Sequence, residues 1–382
     1  MVKPLHILHS VISLDTGGLE RVVLDLVRAG VRRGDRIGVL CLEREGALAN
    51  EARGAGAEVR CLEKPPGRDK RVRVVAANLI SKLRPSVVHT HQIGPAWYVS
   101  KAARAMGIPV VHTEHGDPFA RAHRMRDKIK QRLLYFQTAR WLSRFCCVSA
   151  SVARMMKQFH TVPSDIIEVI INGVNAAVSV GDAARMELRD RYSIPHSAYV
   201  VGTVARLNEV KRLDMLLDAF SNVSKQHTDC YLIIVGDGPE RSKLEDLARA
   251  SDLTERVRFV GFQPEPEAFY RAMDVFALTS RSEGTPVSLL EAWSAGLPVV
   301  CTAVGGIADL VTNSLNGRLV KSGDVVAFSR ALSWCVAHPE LAMKLGARGR
   351  SLVNESYSLE RMAECYADCY NRVLAVATAG EA

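Results

Sequence analysis

The chain has 382 residues, 48% of them hydrophobic and 24% charged, a balance that fits a soluble globular protein of two domains, each large enough to bury a core. Its formal charge of +9 is uneven: residues 1–180 hold 28 Lys and Arg against 15 Asp and Glu, and the remainder 22 against 26, so the basic partner surface belongs to the first half. Nine cysteines without a Cys-x-x-Cys pair exclude a regular disulfide framework and a zinc ribbon and fit a reducing cytoplasm.

The first apolar run, Leu5 to Leu14, is interrupted by two histidines and is too short to span a bilayer. It lacks a basic flank and a small-residue cleavage site, so no signal peptide is expected. From there short β-rich runs alternate with helical patterns. Strands are predicted at Leu5 to Ile12, Arg36 to Leu42, Glu58 to Leu62, Ser86 to His91, Pro109 to Thr113, Phe145 to Ser149 and Ile167 to Ile171. Asp15-Thr-Gly17-Gly18-Leu-Glu20 follows the first strand and opens a helix of period Leu19-Val22-Val23-Leu26-Val27 that Gly34 closes, an arrangement that aims backbone N–H groups at an anion. The dinucleotide fingerprint Gly-x-Gly-x-x-Gly is absent.

Two basic runs follow, Lys64 to Arg73 and Arg121 to Arg132. The second leads into Leu133, Leu134, Phe136 and Trp141. That composition suits anionic lipid headgroups or a phosphorylated substrate as well as a plain solvated helix. The aromatic residues do not alternate with the basic ones, so nucleic acid is not an expected partner. His89, His91, His112 and His115 lie at the ends of two successive strands beside Glu114, where a His-x-His spacing can put two imidazoles on one face. With no second acidic cluster nearby, no metal and no cofactor is expected. Most of these histidines read as structural, and His115 as the one able to orient a hydroxyl.

A second cycle of strands begins after Asn172-Gly173-Val174-Asn175: Tyr199 to Ala205, Tyr231 to Val235, Val257 to Gly261, Val275 to Leu278, Pro298 to Cys301 and Gly317 to Val320, with helices at Arg212 to Phe220 and Lys243 to Ala250. Such alternation means a parallel sheet covered on both faces, and no repeat period supports a solenoid. Ligands of such folds bind beyond the carboxyl ends of the strands, and with two domains the cleft between them is the expected site. Val204-Ala-Arg206-Leu-Asn-Glu-Val-Lys211-Arg212 puts cations at a strand end where a helix begins, which calls for an anionic partner such as a diphosphate. Gly236-Asp-Gly238-Pro239 follows another strand and is either a turn or a phosphate loop.

In Ser282-Glu283-Gly284-Thr285-Pro286-Val287-Ser288-Leu-Leu-Glu291-Ala-Trp293 two carboxylates flank a predicted helix start, with Thr285 as N-cap, Pro286 in the first helical position and Gly296 as the stop. The free N–H groups around Val287 and Ser288 can receive a phosphate, while two solvated glutamates on an ordinary helix is the competing reading. Cys365 and Cys369, four apart on the last helical pattern, read as buried or half-buried thiols.

Together these residues resemble the retaining GT-B glycosyltransferases, the group 1 or family four-like glycosyl transferases. The likeness runs from Gly17-Gly18-x-Glu20 through Arg206 and Lys211, the pair Glu283 and Glu291, Gly305-Gly306 and Asn316-Gly317 to the C-terminal helix. It implies an α/β GT-B fold of two doubly wound Rossmann-like domains facing across a cleft. Residues 1–173 plus 358–382 would bind the acceptor, and residues 174–357 the donor. It further implies metal-independent transfer, with retained configuration, of a hexose or N-acetylhexosamine from a nucleoside diphosphate sugar, UDP first, to a glycan, lipid or lipid-linked acceptor in envelope polysaccharide or glycolipid synthesis.

By the same resemblance Glu283 contacts the donor sugar, Glu291 the ribose hydroxyls, and Arg206 and Lys211 the diphosphate. His115 serves the acceptor; Gly17, Gly18, Gly236, Gly284, Thr285, Pro286, Val287 and Ser288 complete the donor site. The expected location is the cytoplasm, peripheral at the inner face of an anionic membrane. Ala205 and Trp293 depart from the family pattern without removing a functional group. A nucleotide-sugar epimerase of related fold and a catalytically inactive glycan-binding partner are the alternatives. A hydrolase acting through Glu283 and Glu291 is disfavoured because such carboxyls must face each other across a bond.

Overall fold

The computed structural model describes residues 4–120, 124–176 and 182–379. Arg121, the start of the second basic run, lies outside them. The chain divides into two compact units, Met1–Asn172 with Leu359–Ala382, and Gly173–Ser358. The first holds strands β1 (His6–Val11), β2 (Arg36–Cys41), β3 (Glu58–Cys61), β4 (Val87–His91), β5 (Val110–Glu114), β6 (Arg144–Cys147) and β7 (Ile167–Val169) in the order β3-β2-β1-β4-β5-β6-β7. The second holds β8 (Tyr199–Val204), β9 (Cys230–Val235), β10 (Val257–Gly261), β11 (Val275–Leu278), β12 (Val299–Thr302) and β13 (Arg318–Val320) in the order β10-β9-β8-β11-β12-β13.

All these pairings are parallel, and every strand predicted from the sequence forms, its ends shifted by at most two residues. The strands are mainly apolar because both faces of each sheet are covered by helices; β4, β5, β11 and β12 are buried along their whole length. In each unit the strand order reverses beside the first strand, between β1 and β4 and between β8 and β11. Loops leaving neighbouring strands there run to opposite sides and open a crevice at the carboxyl ends.

Helix ends follow local chemistry. The Gly18–Arg32 helix buries Val22, Val23, Leu26 and Val27, and Gly34 at φ +89° closes it, with Gly34 N–H donating to Val31 O at 2.9 Å and Asp35 N–H to Gly30 O at 3.0 Å. This is the paired Schellman pattern, which needs a left-handed residue that glycine supplies without cost. The C-terminal helix, Leu359–Ala379, belongs to the first unit, where it buries Tyr366, Cys369 and Tyr370. Of the two C-terminal thiols Cys369 is buried and Cys365 half-buried. No helix among the described residues is long and apolar enough to cross a membrane.

In the second unit Trp293 is fully buried and donates Nε1–H to Asn316 O at 3.1 Å. A Cβ on Gly349 of the Pro339–Ser356 helix would lie 2.2 Å from its ring, so the bulk of Trp293 is met by the absence of a side chain opposite. Arg189, 1% exposed, locks the Asp182–Arg191 helix to the sheet. Its guanidinium donates to the carbonyls of His196 (2.8 Å), Ala198 (2.9 Å) and Ala272 (2.9 and 3.1 Å) and to Asp274 Oδ2 (2.8 Å). A buried cation is tolerable only when all its donors are used, as here. Arg189→Ala leaves three carbonyls without their donor and Asp274 with Arg185 as its remaining cationic partner, and is expected to cost about 3 kcal/mol of unfolding free energy, measured by urea denaturation.

Candidate functional site

At the reversal between β8 and β11 the structure gathers the predicted cations and one of the two glutamates. The Gly236-Asp237-Gly238 turn after β9 wraps the stretch after β8: Leu207 N–H donates to Asp237 O at 2.9 Å and Glu240 N–H to Leu207 O at 3.0 Å. A Cβ on Gly236, which sits at φ +132°, would lie 2.0 Å from Ala205 O, and one on Gly238 2.3 Å from Leu207 O. Both glycines are thus explained by backbone packed on backbone, which sets the position of Arg206 between them. Arg206 is exposed and forms no ion pair among the described residues.

Lys211 closes a short 3-10 turn, Glu209–Lys211, capped by the Asn208 side chain. This turn is fastened to the loop after β11: Arg281 N–H donates to Val210 O at 2.8 Å and Thr279 Oγ1 to Lys211 O at 2.9 Å. Lys211 Nζ then reaches Glu283 Oε1 at 2.6 Å, and Ser280 Oγ donates to the same oxygen at 2.5 Å. The lysine and glutamate side chains are 19% and 11% exposed, so the pair is shielded but still reachable. Behind it, Gly306 N–H donates to Glu283 O at 3.3 Å, and a Cβ on Gly305 would lie 2.0 Å from that carbonyl. Arg212, the third cation, bonds Asp214 in the first turn of the Leu213–Gln226 helix, so that helix end supplies its own counter-charge.

The helix between the two glutamates starts one residue later than predicted. It spans Val287–Ser294, and Pro286, at φ −70° and ψ 119°, is the N-cap; its carbonyl accepts from Leu289 and Leu290 at 3.2 and 3.4 Å. Thr285 is therefore not the cap but a buried residue of the entry loop, next to the buried Gly284. The reason is that the extended ψ of Pro286 delays the helical turn, and a prolyl side chain has no acceptor to offer. Pro286 gives this end no side-chain cap, and among the described residues no side-chain acceptor is found for the first-turn N–H groups of Val287 and Ser288. Gly296, at φ +81°, ends the helix as predicted.

Glu291 takes a different partner from Glu283: Tyr270 Oη, on the helix Glu267–Ala272, donates to Glu291 Oε2 at 2.6 Å. The two glutamates thus act on separate hydrogen-bond sets, one cationic and one phenolic. Ser280, Tyr270 and Gly305 were not selected as site residues from sequence. Gly305 carried a signal, the glycine pair after a strand; Ser280 and Tyr270 carried none.

In the first unit Gly17 caps the Gly18–Arg32 helix in extended conformation. The loop before it is braced by Ser13 Oγ donating to Asp15 Oδ2 at 2.8 Å, by an Arg44–Asp15 ion pair, and by Gly46, where a Cβ would lie 2.3 Å from the Leu14 carbonyl carbon. The histidines stack at the sheet end. His9 Nδ1 and His91 Nε2 are 3.1 Å apart, and His91 Nδ1 and His115 Nε2 3.0 Å. His89 bonds Tyr370 Oη (2.7 Å) and Thr113 Oγ1 (2.8 Å), and His112 bonds Thr90 Oγ1 (2.9 Å).

His9, His89 and His91 lie close enough for a metal, yet these ring nitrogens are engaged with one another or with hydroxyls, the arrangement of structural histidines. In sequence His9 is marked only as a break in an apolar run. Burial pushes its pKa down to about 3 and that of the half-buried His115 likewise to about 3, and holds His89 and His91 well below the usual imidazole value. An unfolded histidine takes a proton near 6.5, whereas folded His9 does so only near 3, so the unfolded state gains protons first on acidification. Stability is therefore full above pH 6.5 and is expected to fall as the pH drops from 6.5 toward the folded value near 3. Denaturation midpoints measured from pH 8 to 4 check this, and His9→Gln should flatten the slope.

A model of the glycosyl transferases group 1 matches residues 184–352, and a model of glycosyltransferase family 4 matches residues 16–178. The lipopolysaccharide core biosynthesis glycosyltransferase LpsE of Rhizobium meliloti is 33% identical over 178 residues, 47% of this chain and 51% of that protein, so the chain matches about half the length of this relative. The UDP-Gal:alpha-D-GlcNAc-diphosphoundecaprenol alpha-1,3-galactosyltransferase of Escherichia coli is 28% identical over 271 residues, covering 69% and 70%. Among solved structures, Anabaena Alr3699/HepE in complex with UDP-glucose superposes with a TM-score of 0.85 at 20% identity, over 96% of this chain and 100% of that one. WaaG, a glycosyltransferase involved in lipopolysaccharide biosynthesis, gives 0.73 at 17% identity over 95% and 99%. Each family model falls largely on one unit and the structural likeness runs through both, so the chain belongs to the group 1, family 4-like glycosyltransferases and has their fold of two Rossmann-like domains, GT-B.

Proposed function

We propose that this protein moves a hexose or N-acetylhexosamine from a nucleoside diphosphate sugar, UDP first, to a hydroxyl of a glycan, lipid or lipid-linked acceptor, with retained anomeric configuration and without a metal. The observation that carries this reading is the cluster at the β8/β11 reversal: free Arg206, paired Lys211 and Glu283, and a helix end with no side-chain cap. A sugar diphosphate breaks with oxocarbenium character on the sugar and growing negative charge on the leaving oxygens. Arg206, Lys211 and the N–H groups of Val287 and Ser288 supply the positive field for that charge. Glu283, with Oε1 committed to Lys211 and Ser280, offers Oε2 to the sugar, and Glu291, oriented by Tyr270, takes the ribose hydroxyls. Gly236 acts by setting Arg206, and Gly284 and Thr285 by shaping the entry loop.

The unit Gly173–Ser358 is the donor domain in this reading and the unit Met1–Asn172 with Leu359–Ala382 the acceptor domain. His115 hydrogen-bonds the acceptor, the Gly17–Gly18 loop receives an anionic group, and the leaving phosphate itself accepts the acceptor proton, so no separate base is required. Relatives named for lipopolysaccharide core synthesis and for a diphosphoundecaprenol substrate support an envelope glycan or lipid-linked acceptor.

A peripheral place on an anionic membrane is supported by the Met125–Ala139 helix, where Met125, Ile129, Leu133 and Phe136 are exposed at successive turns among Arg126, Lys128, Lys130 and Arg132.

A thermal-shift screen over UDP-, GDP- and ADP-sugars, followed by nucleotide release with acceptor extracts, tests the assignment. Equal turnover by the wild type and Glu283→Ala on every donor would sink it. Arg206→Ala and Lys211→Ala are each expected to weaken nucleoside diphosphate binding by about 1.5 to 3 kcal/mol in calorimetry. Ile129→Asp should reduce co-sedimentation with phosphatidylglycerol vesicles at low salt, and equal sedimentation of wild type and variant would remove the membrane assignment.

A further inference from the structure

Three imidazoles in the first unit form a continuous file that transfer chemistry of the ordinary kind does not require. His9 lies in β1, His91 ends β4, and His115 follows β5; the parallel register that sets His9 beside His89 and His91 beside Thr113 brings them into line. Ring nitrogens meet at 3.1 Å between His9 Nδ1 and His91 Nε2 and at 3.0 Å between His91 Nδ1 and His115 Nε2, with ring centroids 5.4 and 5.3 Å apart. His9 and His91 are buried, and His115 is half-buried at the end of the file. His89 lies tilted beside His91, ring centroids 4.1 Å apart, but is outside the file, its nitrogens being engaged by Tyr370 and Thr113.

A neutral imidazole carries one N–H and one lone pair, so each of the two N···N contacts needs one nitrogen of each kind. If His91 Nδ1 carries its proton, it donates to His115 Nε2, its own Nε2 must accept from His9 Nδ1–H, and all three rings are Nδ1–H. If His91 Nε2 carries the proton, it donates to His9 Nδ1, its bare Nδ1 accepts from His115 Nε2–H, and all three are Nε2–H. Mixed states place two protons or two lone pairs between facing nitrogens, which leaves a buried polar contact unsatisfied. Protonating a ring to escape this is opposed by burial.

We propose that His91, backed by His9, is a positioning residue: it fixes both the ring plane of His115 and which of its nitrogens bears the proton, and so decides whether His115 Nδ1 donates to or accepts from the acceptor hydroxyl. The consequence for catalysis rests on the role given to His115 above; the tautomer coupling does not. In a reaction where the acceptor proton goes to the leaving phosphate, a His115 free to switch would compete for that proton in one tautomer and not in the other.

The test uses the full chain with 15N-labelled histidine at pH 7.5. Two-bond 1H–15N correlation spectra distinguish Nδ1–H from Nε2–H rings, with assignments from His9→Gln, His91→Asn and His115→Gln. His9, His91 and His115 are expected to show one common tautomer, and a mixed pattern overturns the proposal.

A kinetic cycle reads the consequence as release of UDP from UDP-glucose with acceptor extract. His91→Phe is expected to lower kcat about tenfold with the donor KM unchanged, the worth of one lost hydrogen bond. In a His115→Ala background the same change should cost less than about twofold, because interacting residues are non-additive. An equal loss in both backgrounds would make His91 merely structural and overturn the positioning role. Should His91→Phe not fold, His91→Leu, which likewise removes both ring nitrogens, replaces it in the cycle. A wild type inert on every nucleotide sugar would count against the transferase reading alone, since the spectra still decide the coupling.

Discussion

Backbone packed directly on backbone, with no space for a Cβ, holds the polar end of the second sheet in place. Gly236 and Gly238 let the loop after β9 lie against Ala205 and Leu207, and Gly305 lets the segment after β12 lie under Glu283 O. Each contact fixes a loop that carries a charged side chain, so Arg206 and Glu283 are set by main-chain geometry before any side-chain bond forms. The cross-links from Thr279 and Arg281 to the Val210–Lys211 turn complete the frame. A site built this way starts with its donors in position, which is what stabilising charge in a transition state requires.

The two units solve the burial of polar groups in opposite ways. Around β8 and β11 charges are kept and paired: Lys211 with Glu283, Arg189 and Arg185 with Asp274. At the ends of β1, β4 and β5 imidazoles, hydroxyls and phenols satisfy one another from His9 through His91 to His115 and from His89 to Tyr370, with Glu114 the one buried carboxylate among them, bonded by Tyr135. The difference follows from exposure. Lys211 and Glu283 keep some contact with water, whereas His89 and His91 have none and could be charged only at a large desolvation cost.

These arrangements also assign work to residues without an obvious motif. The C-terminal helix is fastened by Tyr366 and Tyr370 into the hydrogen bonds of Thr113 and His89, so the end of the chain completes the polar interior of the first unit. Trp293, which departs from the family pattern, is accommodated by Gly349 in another helix and leaves Glu291 free to meet Tyr270. A large residue opposite an absent side chain keeps core volume constant.

Strands, their parallel class and the strand-end positions of Arg206, Lys211, Glu283 and His115 were legible from residue order, because a strand buried on both faces is largely apolar and its polar residues gather toward the carboxyl end. Thr285 misled for a local reason: threonine and proline have strong statistical places at a helix start, but the ψ of Pro286 is set by the loop that Gly305 supports. Contacts spanning long separations were not legible. Lys211 and Glu283 are 72 residues apart, His9 and His91 82, Arg189 and Asp274 85, and nothing in either partner's neighbourhood names the other. Sequence by itself determined which residues could carry charge or a proton and at which strand ends they would stand; tertiary structure decided their partners, because pairing depends on strand order and on where backbones can touch, and both are properties of the packed sheet.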